Sequence, residues 1–106
     1  MPQTTADMLL ENTHPGLMLR EDFLQPLGIT PGKLTESLGL SRSYVSKLLH
    51  GQRKVTPMTS LLLGKFFGMS AQFWLNLQNH HDLIEALRRN SNRLDKIVPI
   101  VGSKEI

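Results

Sequence analysis

Between Leu34 and Gly51, two short apolar rhythms of helical period meet at a glycine. Leu34 and Leu38 stand one turn apart before Gly39, and Val45, Leu48 and Leu49 repeat at the same period after Ser41. Gly39 suits a left-handed cap on the first helix, Leu40 fills the corner, and the Ser41 hydroxyl can accept from the bare N–H groups that open the second. The outline is a helix-turn-helix. Once Val45, Leu48 and Leu49 point inward, Arg42, Ser43, Ser46, Lys47 and His50 lie on the outer face, with Tyr44 at its edge. That face carries donors and positive charge but no carboxylate, as a helix that sits against a major groove requires.

The same periodicity and punctuation mark out three more helices. Pro15 starts a first helix reaching about Leu27, with Leu19, Phe23 and Leu27 one turn apart on its apolar face, Pro26 ending or kinking it, and Gly28 capping it. Thr30 and Pro31 open the second helix, and Thr56 and Pro57 open a fourth that runs to about Phe67. Ser60, Leu63, Gly64 and Phe67 line one face of that fourth helix, where the small residues admit a close neighbour. Leu62 and Phe66 fall off this face, as part of a broad buried stripe or as a patch for a partner. Gly68 ends the fourth helix and Ser70 caps a fifth, whose apolar side is Phe73, Trp74, Leu77, Leu83 and Leu87. Asn90, Ser91 and Asn92 read as a linker. Period-two alternation occurs only in I-V-P-I-V at 97–101, where Pro99 permits an edge strand at most and a disordered tail is the expected state.

Composition narrows the class. At 106 residues the chain makes one domain, without cysteine for disulfides or thiolate metal sites, which suits the cytoplasm. The first Lys or Arg is Arg20 and no apolar run approaches the length of a membrane span, so a signal peptide and a membrane helix are not expected. The net charge is only +3, but between Glu36 and Asp82 there is no acid, while Arg42, Lys47, Arg53, Lys54 and Lys65 all fall in that interval. Five uncompensated cations around the third helix make a field that attracts a polyanion. His80, His81 and Asp82 cannot converge on one metal, since neighbouring helical side chains diverge by about 100°; His14 is remote in sequence, and no metal or cofactor is expected. No serine sits in a Gly-rich elbow and the carboxylates are scattered, so catalysis is not expected either.

With H-P-G at 14–16, the helix-turn-helix at 34–51, and S-A-Q-F-W-L-N-L-Q followed by D-L at 70–83, the chain resembles the HigA, VapI-type antitoxin family. The most specific part is F-W-L-N-L-Q; the helix-turn-helix alone would indicate only a Cro/C1-type repressor domain. The resemblance implies an all-α, five-helix, lambda-repressor-like domain at 14–88, between an N-terminal arm at 1–13 and a C-terminal tail at 89–106. It further implies a homodimer that binds double-stranded operator DNA, represses its own operon and neutralises a HigB-type toxin, a RelE-like ribonuclease that cleaves mRNA. A Cro/C1-type repressor without a toxin, and a protein-interaction module that ignores DNA, remain as alternatives.

Matched to the domain type, Arg42, Ser43 and Lys47 fall on positions that touch base edges, Tyr44 lies among them, and His50 and Arg53 fall on phosphate-side positions. Arg42 can bond guanine O6 and N7 together, which is worth about 1–3 kcal/mol of discrimination, whereas Arg53 and Lys54 supply sequence-independent attraction. Many relatives begin the second helix with a glutamine that bonds a phosphate. Here Pro31 stands in that place, leaving Thr30 or Lys33 to serve. Thr35 replaces the usual alanine at the crossing of helices two and three, and His81 replaces an aromatic before D-L. One such domain reads too few base pairs alone, so a two-fold dimer on an inverted repeat is expected, joined through helix five and the residues after it. Leu62, Phe66, Trp74, His81, Leu83 and Leu87 are the candidates for dimer or toxin contact.

Overall fold

The computed structural model describes residues 12–101, and five helices account for their regular structure. Helix α1 occupies 15–27, α2 is Pro31–Leu38, α3 is Arg42–Leu49, α4 is Pro57–Phe67 and α5 is Ala71–Asp95. Four of the starts are capped as the sequence suggested. Thr30, Ser41, Thr56 and Ser70 hydroxyls accept from the N–H groups of Lys33, Tyr44, Thr59 and Gln72. Gly39 and Gly68 adopt φ of 68° and 67°, closing α2 and α4 in the left-handed conformation.

Helix α1 departs from the expected regular coil. Its Pro15–Met18 and Gln25–Leu27 ends flank a π-helical stretch, Leu19–Leu24, in which the Gln25 N–H reaches back to the Arg20 carbonyl. The physical reason lies at Pro26, whose ring would strike the Asp22 carbonyl one turn back in a regular helix; the widened turn makes room. The extra residue per turn also rotates the apolar face. Leu19 and Leu24 are buried and Phe23 is half-buried, while Leu27, expected on that face, is 61% exposed.

The core is built from Leu19, Leu24, Leu34, Leu38, Val45, Leu48, Leu49, Val55, Leu63 and Trp74. Helix α4 lies along α5 and also touches α2, and α1 bridges α3 and α5. Gly16 permits the α1–α3 contact, because a Cβ there would come within 1.7 Å of the Leu48 carbonyl oxygen. On α4 the small residues act as expected: Ser60 and Gly64 are buried, and a Cβ on Gly64 would meet the Met69 carbonyl at 2.8 Å.

Helix α5 runs further than expected. The anticipated linker at Asn90–Asn92 is helical, with only Asn90 leaving helical geometry (φ −122°, ψ 18°), and the helix ends at Asp95. From Arg88 onward every described residue is exposed, so the last turns project from the body. Beyond them 97–101 forms no strand, and Ile97, Val98, Ile100 and Val101 stand in solvent. Of the expected N-terminal arm, residues 1–11 lie outside the described ones. Asn12 is docked, its amide donating to the His81 carbonyl at 2.9 Å and to Glu85 Oε2 at 3.1 Å.

Candidate nucleic-acid interface

Helix α3 buries Val45, Leu48 and Leu49, and this commits Arg42, Ser43, Ser46, Lys47 and His50 to solvent. Among the described residues no carboxylate pairs with Arg42, Lys47 or Arg53, and none of those residues covers the outer face. His50 is turned by a 2.7 Å contact from Nδ1 to the Ser46 carbonyl, which leaves Nε2 pointing away from the helix.

Two residues expected to meet DNA, Tyr44 at the edge of this face and Lys54 in the loop after it, make other contacts. Tyr44 is half-buried, and its hydroxyl donates to the Lys54 carbonyl at 2.6 Å and lies 2.9 Å from Thr59 Oγ1. It braces the loop after α3 against the start of α4, so its aromatic ring is not a free base contact. Lys54 is not an uncompensated cation: its Nζ lies 2.9 Å from Asp82 Oδ2. Asp82 closes the acid-free interval in sequence, and folding brings it back onto the interval's own lysine. Among the described residues, the interval's other cations, Arg42, Lys47, Arg53 and Lys65, meet no carboxylate.

At the α2 start, the Thr30 oxygen caps Lys33 N–H at 3.0 Å, keeping only its O–H to offer a phosphate, while Lys33 is exposed. Between this helix start and α3 opens a cleft of about 410 Å³ whose lining includes Gly32, Arg42, Ser46 and His50. Arg20 of α1 completes it, with Nη2 3.1 Å from Glu21 Oε2 and a buried Nε that meets no acceptor among the described residues. Sequence reading passed over Arg20 because the α1 pattern marks it only as an off-face residue. Its place beside Arg42 depends on how α1 packs across α3.

The candidates for protein contact separate into buried and bare. Trp74 is fully buried, with ring centroids 4.9 Å from Phe23 and 5.3 Å from Phe73, and so is core rather than interface. Leu62 and Phe66 are half-buried against the core, as the broad stripe required, and the exposed apolar residues of α4 are Met58 and Leu61. His81 is largely covered, its ring 5.0 Å from that of His14. The two histidines, far apart in sequence, are therefore neighbours, because the N-terminus of α1 folds onto α5. Leu83 is 69% exposed and Leu87 half-exposed; Leu94, past the break at Asn90, and Ile97, just beyond the helix end, are exposed as well.

Electrostatics behind α3 are set by this packing. His14 Nδ1 accepts from Gly16 N–H at 2.8 Å, so it caps α1 in its neutral form. Burial, then the neighbouring His81, hold its pKa below the ordinary histidine value against the opposing pull of Asp82. For Asp82, burial raises the pKa, but hydrogen bonds from Lys54, Gln78 and His81 together with the lysine charge outweigh it, and the group is held below the usual aspartate value. Glu85 is lowered too, by the hydrogen bond from Asn12 foremost.

An exposed cationic helix held by a glycine corner against a second helix defines a helix-turn-helix protein, and the helix-turn-helix family model matches residues 20–74. Virulence-associated protein I of Dichelobacter nodosus is 37% identical over 87 residues, covering 82% of this chain and 80% of its own. Antitoxin HigA-1 of Vibrio cholerae is 34% identical and covers 85% of each chain. The structure of Pseudomonas aeruginosa antitoxin HigA with the higBA promoter superposes with a TM-score of 0.82 at 34% identity, covering 86% of this chain and 100% of that one. The chain belongs to the helix-turn-helix family, in its HigA antitoxin branch.

Proposed function

We propose that this protein is the DNA-binding antitoxin of a toxin–antitoxin pair, acting in the cytoplasm, where it represses its own operon and neutralises a HigB-type mRNA-cleaving toxin. The observation that carries the DNA part is the free outer face of α3, on which Arg42 and Lys47 stand exposed without a carboxylate partner among the described residues. Arg42, Ser43 and Lys47 read base edges. His50, Arg53, Lys33 and Thr30 meet phosphates, and Arg20 joins them at the cleft beside α2 in place of the glutamine that Pro31 displaces. Tyr44 acts through the loop it braces.

Two copies meet along Leu83, Leu87 and Leu94 of α5 and Ile97 just past its end, a surface too apolar to favour leaving in water, whose outer part from Arg88 onward is exposed throughout. The dimer sets two α3 helices in successive major-groove segments of an inverted repeat. The antitoxin part is supported by family membership, and its toxin is expected from the reading frame adjoining this gene.

Lys47→Glu tests the reading. Operator binding in gel shift should fall at least tenfold while the toxin complex, purified by co-expression with the adjoining frame, survives. Unchanged operator binding would refute it.

A further inference from the structure

Three contacts converge on Lys54 and the residue after it. The Lys54 carbonyl accepts from the Tyr44 hydroxyl at 2.6 Å, the next N–H, that of Val55, donates to Gln78 Oε1 at 2.8 Å, and the lysine ammonium lies 2.9 Å from Asp82 Oδ2. The acceptors on α5 are themselves locked. Gln78 is 3% exposed and its amide donates to Asp82 Oδ1 at 2.9 Å, and His81 Nδ1 lies 3.3 Å from that same oxygen. Backbone and carboxylate are thus held, while the lysine side chain keeps 70% of its surface and can swing away. Arg53, its neighbour, is exposed and pairs with no carboxylate among the described residues.

Resting on the reading that α3 and the loop after it meet a duplex, we propose that Asp82 is an internal competitor for Lys54, withholding one cation from the DNA backbone. A cation engaged by a fixed carboxylate displaces no counterion when the protein meets a phosphate. Asp82 so limits the sequence-independent part of the affinity, leaving discrimination to Arg42 and Lys47. It is a positioning residue: it acts on DNA only through Lys54.

The test is the slope of log K against log salt concentration for wild type, Asp82→Asn, Lys54→Met and the double variant. The probe is a fluorescent duplex of the sequence just upstream of the operon's first reading frame. Each phosphate contact contributes a slope of about −0.9. Asp82→Asn, which keeps an acceptor for Gln78, should steepen the slope by about that amount and tighten binding severalfold at low salt. Lys54→Met alone should leave the slope unchanged, and in its background Asp82→Asn should do nothing. A structural role for Asp82 would move the melting temperature but not the slope. An Asp82→Asn slope equal to wild type overturns the proposal. So does a Lys54→Met slope shallower by about one contact, which also decides the matter should the Asp82 variant not fold. A wild type that binds no duplex overturns the functional reading and this inference together, whereas a wild type that binds with slopes indifferent to Asp82 overturns this inference alone.

Discussion

Helix α3 and the first half of α5 carry the two most distinctive stretches of the chain, and folding treats them oppositely. R-S-Y-V-S-K leaves Arg42 and Lys47 bare, whereas F-W-L-N-L-Q sends Trp74 and Gln78 inward, the first fully buried and the second almost so, with Phe73 and Asn76 at the surface. A run of residues marks a family equally well from inside or outside. What differs is the kind of constraint. Trp74 is held in place by surrounding rings, Phe23 at 4.9 Å and Phe67 at 6.0 Å. Arg42 pairs with no carboxylate among the described residues, and its identity answers to a partner outside the chain. The first region should therefore respond to mutation in binding and the second in stability.

The largest effect that would break this contrast is at Trp74. Trp74→Ala should cost about 3–5 kcal/mol in chemical denaturation, by lost burial and the cavity left among Phe23, Phe67 and Phe73. The fraction still folded should bind DNA normally, and a selective loss of binding with unchanged stability would return Trp74 to an interface.

At Arg42 the expectation is reversed. Arg42→Ala should reduce discrimination between the operator and a duplex altered at the contacted base by about 1–3 kcal/mol, read by competition binding, with the melting temperature nearly unchanged. A uniform loss on both duplexes would demote Arg42 to a phosphate contact.

The smallest effect sharpens the comparison through His14, which supports the back of α3 from the α5 side. Because burial lowers its pKa in the folded state, the unfolded chain binds more protons as the pH falls through the ordinary histidine range. Stability should accordingly decrease from about pH 7.5 toward 5.5, and His14→Asn, which can cap α1 without titrating, should flatten that part of the curve. Asp82 has the opposite sign. Its lowered pKa contributes stability above the ordinary aspartate value and loses it only in stronger acid, so the two windows are separable in one thermal series. A wild type equally stable across the histidine range would remove His14 from this role.

The helix boundaries, the C-terminal end of α5 excepted, were legible because their signals are local. A hydroxyl before a proline or a first turn, and a glycine at φ near 68°, act within a few residues of themselves, so Thr30, Ser41, Thr56, Ser70, Gly39 and Gly68 could be assigned along the chain alone. The outward face of α3 was legible for the same reason, since burying Val45, Leu48 and Leu49 leaves its other residues no alternative. Reading by a fixed period failed in α1, where Pro26 widened the helix and exchanged Leu27 for Leu24 in the core. Elsewhere a distant segment intervened: Asp82 returned to neutralise Lys54, and His14 came to rest on His81. Sequence by itself determined which helices form and which face of α3 stays free, for those choices rest on hydrogen bonds and apolar periods inside one or two turns. Tertiary structure alone decided which charges remain unpaired and which aromatics are core, because a charge is cancelled, and a ring covered, by whatever the fold brings within a few ångströms, however far away it lies along the chain.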